Sequence, residues 1–146
     1  MTPREQKILP AVSAAIFNDQ GHVLLQQRRD TGKWCIISGH VEFGETVEDA
    51  ILREIHEEIN AAAEIIRLIG VYSMPAFATY DHTDHRVQYI TSYFEVKLLD
   101  APDISFTNAE TRAWRFFPPD ALPADLDQVN PYWLVDALNK QSVFIR

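Results

Sequence analysis

GHVEFGETVEDAILREIHEEINA, residues Gly39 to Ala61, is the stretch from which the rest of this chain is read. Within it Val47, Ile51, Ile55 and Ile59 recur at every fourth position, with Ala50 and Leu52 beside them, so Thr46 to Ile59 predicts a helix with one buried stripe. Thr46 supplies an N-cap oxygen, Asp49 is the acidic partner three residues on, and Asn60 tolerates the left-handed conformation that ends helices. Glu54, Glu57 and Glu58 stand at spacings of three and four, which puts them on a common face, where they are expected to converge. Like charges so placed repel by roughly 0.2 to 0.5 kcal/mol per pair, so a cation or an arginine must compensate. An all-oxygen donor set suits Mg²⁺, which keeps several waters and completes its shell with phosphate oxygens.

Arg53 adjoins the carboxylates, and Glu45 lies on the loop entering the helix, so an ion pair between them would fix loop against helix. Gly39 and Gly44 let that loop turn tightly and bring backbone close to a bound ion or phosphate. An isolated E-x-x-E-E is usually a solvated helix face. The reading changes because the spacing extends over loop and helix together: Gly39, five residues, Glu45, seven residues, Arg53-Glu54-Ile55, one residue, then Glu57-Glu58.

Working outward, Ile8 to Phe17 and His22 to Arg28 flank the turn signal Asp19-Gln20-Gly21 and predict a strand pair. Trp34 to Ile37 predicts a short strand before the glycine-punctuated loop Gly39 to Glu45. Ala63 to Met74 and Arg86 to Leu99 predict longer strands around the polar, aromatic-containing loop Pro75 to His85, which is suited to border a pocket. Thr111 to Phe117 predicts a strand ended by Pro118-Pro119. Asn130-Pro131 reads as N-cap and first position of a final helix, about Pro131 to Asn139, with Trp133, Leu134 and Leu138 facing a sheet. The pattern is α/β, a mixed sheet with helices on its faces, in one domain spanning residues 1–146.

The 146 residues, 47% hydrophobic, suffice for one core and are too few for two ordinary domains. A net charge of -8 disfavours a nucleic-acid polymer as partner, because such binding needs clustered Lys and Arg. No run approaches the roughly 20 apolar residues of a membrane span. Met1 to Gln6 carries both signs of charge and leads to no cleavage pattern, so a cytoplasmic protein is expected. The single cysteine, Cys35, excludes an internal disulfide and any zinc site of several thiolates, and its apolar strand suits a buried structural thiol.

The segment Gly39 to Ala61 resembles the Nudix box, with Asn60 where that family has glycine and Ala61 as a small version of the following aliphatic. WCIISG, residues 34–39, is similar to the family's tryptophan, strand and Pro-Gly-Gly, with Ile37 and Ser38 replacing the proline and first glycine. LLQQRR, at 24–29, and WRFFPPDALP, at 114–123, resemble the family's second and late strands. The resemblance implies the Nudix fold, an α/β/α sandwich with a central mixed sheet.

Carried over, it implies Glu54, Glu57 and Glu58 as ligands of Mg²⁺, with Mn²⁺ as the alternative ion. It also implies a backbone carbonyl near Ser38 reaching the metal, Arg53 orienting the cluster, and Glu45 as its partner. The metal would bridge a diphosphate and lower the pKa of a bound water. The base would be a box glutamate or Glu110, with Glu95 a weaker choice. Arg29 is the candidate phosphate clamp, and Phe77, Tyr80 and Tyr89 are the candidate pocket lining. Asp81, His82, Asp84 and His85 suit a polar loop better than a metal site, and neither His40 nor His56 is needed for the chemistry. The implied activity is cleavage of a phosphoanhydride in a nucleoside diphosphate linked to another moiety, such as an ADP-ribose-like compound. The alternatives are a nucleoside triphosphate pyrophosphohydrolase, oxidised nucleotides included, and a non-catalytic nucleotide sensor. Many relatives are dimers, and a homodimer stays open.

Overall fold

A computed structural model describes residues 4–146; of the N-terminal stretch Met1 to Gln6, residues 1–3 lie outside the described residues. The elements in order are β1 (Glu5–Ile16), β2 (Val23–Arg28), β3 (Trp34–Cys35), β4 (Ile37–His40), α1 (Val47–Ile59), β5 (Ala63–Tyr72), α2 (Pro75–Ala78), β6 (Thr79–Asp81), β7 (His85–Leu98), β8 (Thr111–Phe117), α3 (Trp133–Leu138) and β9 (Phe144–Ile145). One sheet runs β4-β1-β7-β5-β9, with β6 also on β7, and a second runs β3-β2-β8. β1 is parallel to β7 and β9 to β5, while β4 is antiparallel to β1 and β5 to β7, so the larger sheet is mixed.

The helix predicted from period four forms as α1. Thr46 Oγ1 accepts from Asp49 N at 3.0 Å, the Asp49 carboxylate accepts from Thr46 N at 3.2 Å, and Asn60 closes the helix at φ 53°. Its stripe of Ala50, Ile51, Ile55 and Ile59 packs with Val12, Ala14, Ile16, Phe94 and Trp114. Full burial of each isoleucine is worth about 1.5–3 kcal/mol. Ala15 of the same β1 joins Val23, Leu25, Ile69 and Tyr93 under Trp133 and Ala137 of α3. Alternate residues of one strand therefore meet α1 and α3, which cover opposite faces of the central sheet and complete the α/β/α sandwich.

Four sequence expectations are corrected. β1 and β2 are not a hairpin and share only the isolated bridge Phe17–Val23. β1 is an interior strand from Ala11 to Ala14, with β4 on one side and β7 on the other, so its edge there is already taken. The run Trp34 to Ile37 divides between the sheets, Trp34–Cys35 pairing with β2 and Ile37–His40 with β1. The loop Pro75 to His85 contains α2 and β6, the latter continuing the sheet on β7. The last helix begins at Trp133. Asn130 is buried ahead of it, accepting from Tyr132 N through its side chain and from Trp133 N through its carbonyl, and Leu138 is exposed.

The C-terminal strand depends on one glycine. A Cβ on Gly70 would lie 2.3 Å from the Phe144 carbonyl oxygen, backbone that cannot rotate away. Gly70→Ala is expected to lift β9 from β5 and destabilise the protein by about 1–3 kcal/mol, as overpacking does. Thermal melting with hydrogen exchange at residues 144–146 checks this; unchanged protection there would contradict it.

Candidate functional site

Arg53 organises one side of β4. Its Nε and Nη2 donate to the two Glu45 carboxylate oxygens at 2.7 and 3.0 Å, and Nη2 also donates to the His40 carbonyl at 3.0 Å. Nη1 donates to Glu54 at 3.0 Å and to both oxygens of Glu57 at 3.3 Å. One planar fork thus ties the entering loop, the end of β4 and the helix, which a single-point ammonium could not do. Arg53 holds the Glu45 carboxyl below its ordinary range. Burial pushes Glu54 the other way, against the pull of Arg53. The Glu54 side chain lies on Gly39, where a Cβ would stand 2.1 Å from its carboxyl carbon.

The three glutamates do not converge, contrary to the sequence expectation. Glu54 lies against β4, the Glu57 side chain is 53% exposed, and Glu58 is buried with Thr111 Oγ1 donating to its Oε2. Among the described residues no three carboxylates, imidazoles or thiols stand together as a metal-holding group. Arg53 Nη1 holds Glu54 and Glu57 together, while Thr111 holds Glu58 apart from them. The donor set nevertheless fits a hard divalent cation. Its oxygens are anionic, and among the described residues no Lys, Arg or His lies within ion-pair distance of the buried Glu58. Ser38, named for its carbonyl, adjoins Gly39 in β4, while its hydroxyl faces the other way, 3.1 Å from Ser13 Oγ.

On that other side of β4 lies a cavity of about 460 Å³. Phe77, Tyr80 and Tyr89 all line it, the first two from the segment Pro75 to His85 and Tyr89 from β7. Tyr89 shares a hydrogen bond of 3.0 Å with His40 Nε2, their rings stack at 5.2 Å, and Tyr80 meets Tyr89 edge-on at 5.6 Å. Burial raises the pKa of both tyrosines, keeping their hydroxyls protonated. Arg29 is not in the lining. Its Nε donates to the Asn108 carbonyl at 2.8 Å, and Arg28 lines the cavity instead, held by Asp30 at 2.7 Å with Asp127 at 3.7 Å.

Glu110 is exposed beside Asn108, whose side chain donates to the carbonyls of Glu57 and Glu58 at the end of α1. The Glu110 carboxylate makes no hydrogen bond or ion pair among the described residues. Glu95, the weaker choice, is buried with its carboxylate committed to Arg67 at 2.9 Å and Lys140 at 2.7 Å. His82 stacks on His85, the first residue of β7, and His85 Nδ1 is 2.6 Å from Asp84, but among the described residues these do not form a metal-holding group.

Sequence reasoning missed His40, Trp34 and Asp127 in the cavity wall. Strand alternation about Gly39 would have placed His40 there, since a residue facing α1 has neighbours facing away. Asp127 enters through the bridge of Trp34 to Leu126, a contact distant in sequence with no local signal.

The chain matches the family model described as NUDIX domain over residues 7–137. It is 40% identical over 67 residues to the ADP-ribose pyrophosphatase of Methanocaldococcus jannaschii, covering 44% of this chain and 40% of that one. It is 26% identical over 136 residues to a MutT-like protein of Streptomyces ambofaciens, covering 93% and 80%. A solved UDP-X diphosphatase superposes with TM-score 0.74 at 27% identity, covering 89% of this chain and 61% of that one. The alignments span less than half the length of the first curated relatives, 45%, 42% and 40%.

Proposed function

Because the chain belongs to the NUDIX family, we propose that it is a Mg²⁺-dependent hydrolase cleaving the phosphoanhydride of a nucleoside diphosphate linked to a second moiety. The observation carrying this reading is the two-sided use of β4, with the Arg53 carboxylate cluster on one face and an aromatic cavity on the other. A cavity of about 460 Å³ is within the range of small-molecule sites and suits a base with its sugar. Tyr80, Tyr89 and Phe77 offer faces for stacking, and Asp127 offers an acceptor to a base N–H.

Glu54, Glu57 and Glu58 would hold the ion. When bound, it would neutralise charge developing on the diphosphate and acidify a water. Arg53 keeps Glu54 and Glu57 oriented, and Glu45 keeps Arg53 from swinging out. Glu110, with its carboxylate uncommitted among the described residues, is the base candidate beyond the helix. The linked diphosphate is preferred over a triphosphate on charge. The cavity's arginine, Arg28, is committed to Asp30 and Asp127, and a terminal phosphate adds about -1.5 to -2 of charge where an esterified one adds less. The lone Cys35 is in keeping with a reducing, cytoplasmic setting.

Incubation with Mg²⁺ and a panel of sugar-linked, dinucleotide and triphosphate compounds, with products resolved by ³¹P NMR, tests the assignment. Two monophosphate esters from a linked diphosphate are expected, with much less product from Glu110→Gln. Release of pyrophosphate from triphosphates alone would shift the substrate class. No turnover of any compound would sink the hydrolase reading.

A further inference from the structure

Thr111 begins β8 at an irregularity in its pairing. Gln27 pairs with Ala113, but Arg28 pairs with Thr111, so Arg112 is the extra residue of a bulge. Bulges re-aim side chains, and this one leaves Thr111 pointing at the buried end of α1. Its hydroxyl touches two acceptors, Glu58 Oε2 and Gln26 Oε1, the latter at 3.0 Å. All three residues are buried, at 2% exposure for Thr111 and 8% for each of the others.

One hydroxyl carries one proton, and the ionised carboxylate is the stronger acceptor, so the proton goes to Glu58. The Gln26 amide oxygen stands at the same hydroxyl, and with the amide turned about its last bond its nitrogen would donate to Thr111 Oγ1, giving a directed chain, Gln26 N–H to Thr111 O, Thr111 O–H to Glu58. Every group in the chain donates toward the carboxylate. Asn108 fastens the same helix end from the same segment, through the carbonyls of Glu57 and Glu58.

We propose that Thr111, set by Gln26, is a positioning residue that occupies one oxygen of Glu58 and fixes the other for a divalent cation. This rests on Glu58 being a metal ligand, as put forward above. A carboxylate fixed in advance loses less freedom on binding the ion, and removal of such outer partners typically weakens metal affinity about 10- to 100-fold.

The test is Mn²⁺ titration of the whole protein, following free Mn²⁺ by electron paramagnetic resonance, with melting temperature measured alongside. Thr111→Val, which keeps shape and loses the hydroxyl, is expected to raise the Mn²⁺ dissociation constant about 10- to 100-fold. Thr111→Ser is expected to restore parental affinity. Equal affinity of Thr111→Val and parent overturns the proposal, even if the melting temperature falls. Should Thr111→Val fail to fold, Gln26→Leu decides, with weakened binding supporting the chain and unchanged binding refuting it. A parent that binds no Mn²⁺ overturns the metal reading itself, an outcome separate from a variant that binds as well as the parent.

Discussion

Glu57→Gln is expected to lower kcat about 10²- to 10⁴-fold if this box glutamate is the general base, the range for loss of such a group, while the melting temperature stays near that of the parent. The separation follows from the surroundings of Glu57. Its side chain is 53% exposed and its contacts are two long bonds of 3.3 Å to Arg53, which keeps Glu45 and Glu54 as partners without it. An exposed carboxylate so weakly held contributes little to folding. Glutamine retains shape and an acceptor oxygen and removes only the charge, so the rate reports the charge. Glu58→Gln would be a poorer test, because the buried carboxylate also satisfies Thr111. Steady-state kinetics with Mg²⁺ held well above saturation checks the prediction. Parental kcat in a folded Glu57→Gln protein would remove Glu57 from the chemistry and leave Glu54 and Glu58 to carry it.

Local patterns were legible in the sequence where their cause is local. The four-residue apolar period, Thr46 with Asp49, and Asn60 placed α1 and both its ends, because capping and amphipathicity act within a turn or two. Phe77 and Tyr80 stand in a polar segment suited to border a pocket, and both line the cavity together with Tyr89 of β7. Sheet membership was not legible. The turn at Asp19 to Gly21 suggests a hairpin, yet β1 is taken by β4 and β7, a choice made by total burial over the whole chain. The same long-range choice splits Trp34 to Ile37 between sheets and brings Asp127 to Trp34.

Within the site, helix spacing placed Glu54, Glu57 and Glu58 on one helix without fixing where long side chains end. Arg53 collects two of them and Thr111 the third. Arg28 and Arg29 show the same limit. Arg28 ends β2 and Arg29 opens the turn after it, so one lines the cavity and the other reaches Asn108, and the sequence does not say which.

Gly39→Ala is expected to lower turnover about 10²-fold without loss of stability, the reverse of Gly70→Ala. The methyl would stand 2.1 to 2.5 Å from the Glu54 Cδ, Oε1 and Cγ atoms, the far end of a flexible side chain, so Glu54 can swing away while β4 stays in place. Alanine costs a strand about 0.5–1 kcal/mol less than glycine, which offsets what the displaced contact contributed. The chemistry has no such latitude, since a misplacement of about 1 Å in a reacting group costs around 10²-fold. A double-mutant cycle with Glu54→Gln isolates the cause. If Gly39 acts through Glu54, adding Gly39→Ala to Glu54→Gln should lower the rate little further, because the carboxylate to be displaced is already gone. Fully multiplicative losses would mean that Gly39 acts elsewhere, at the close approach of the β4 backbone to a phosphate, and that Glu54 keeps its orientation through Arg53 alone.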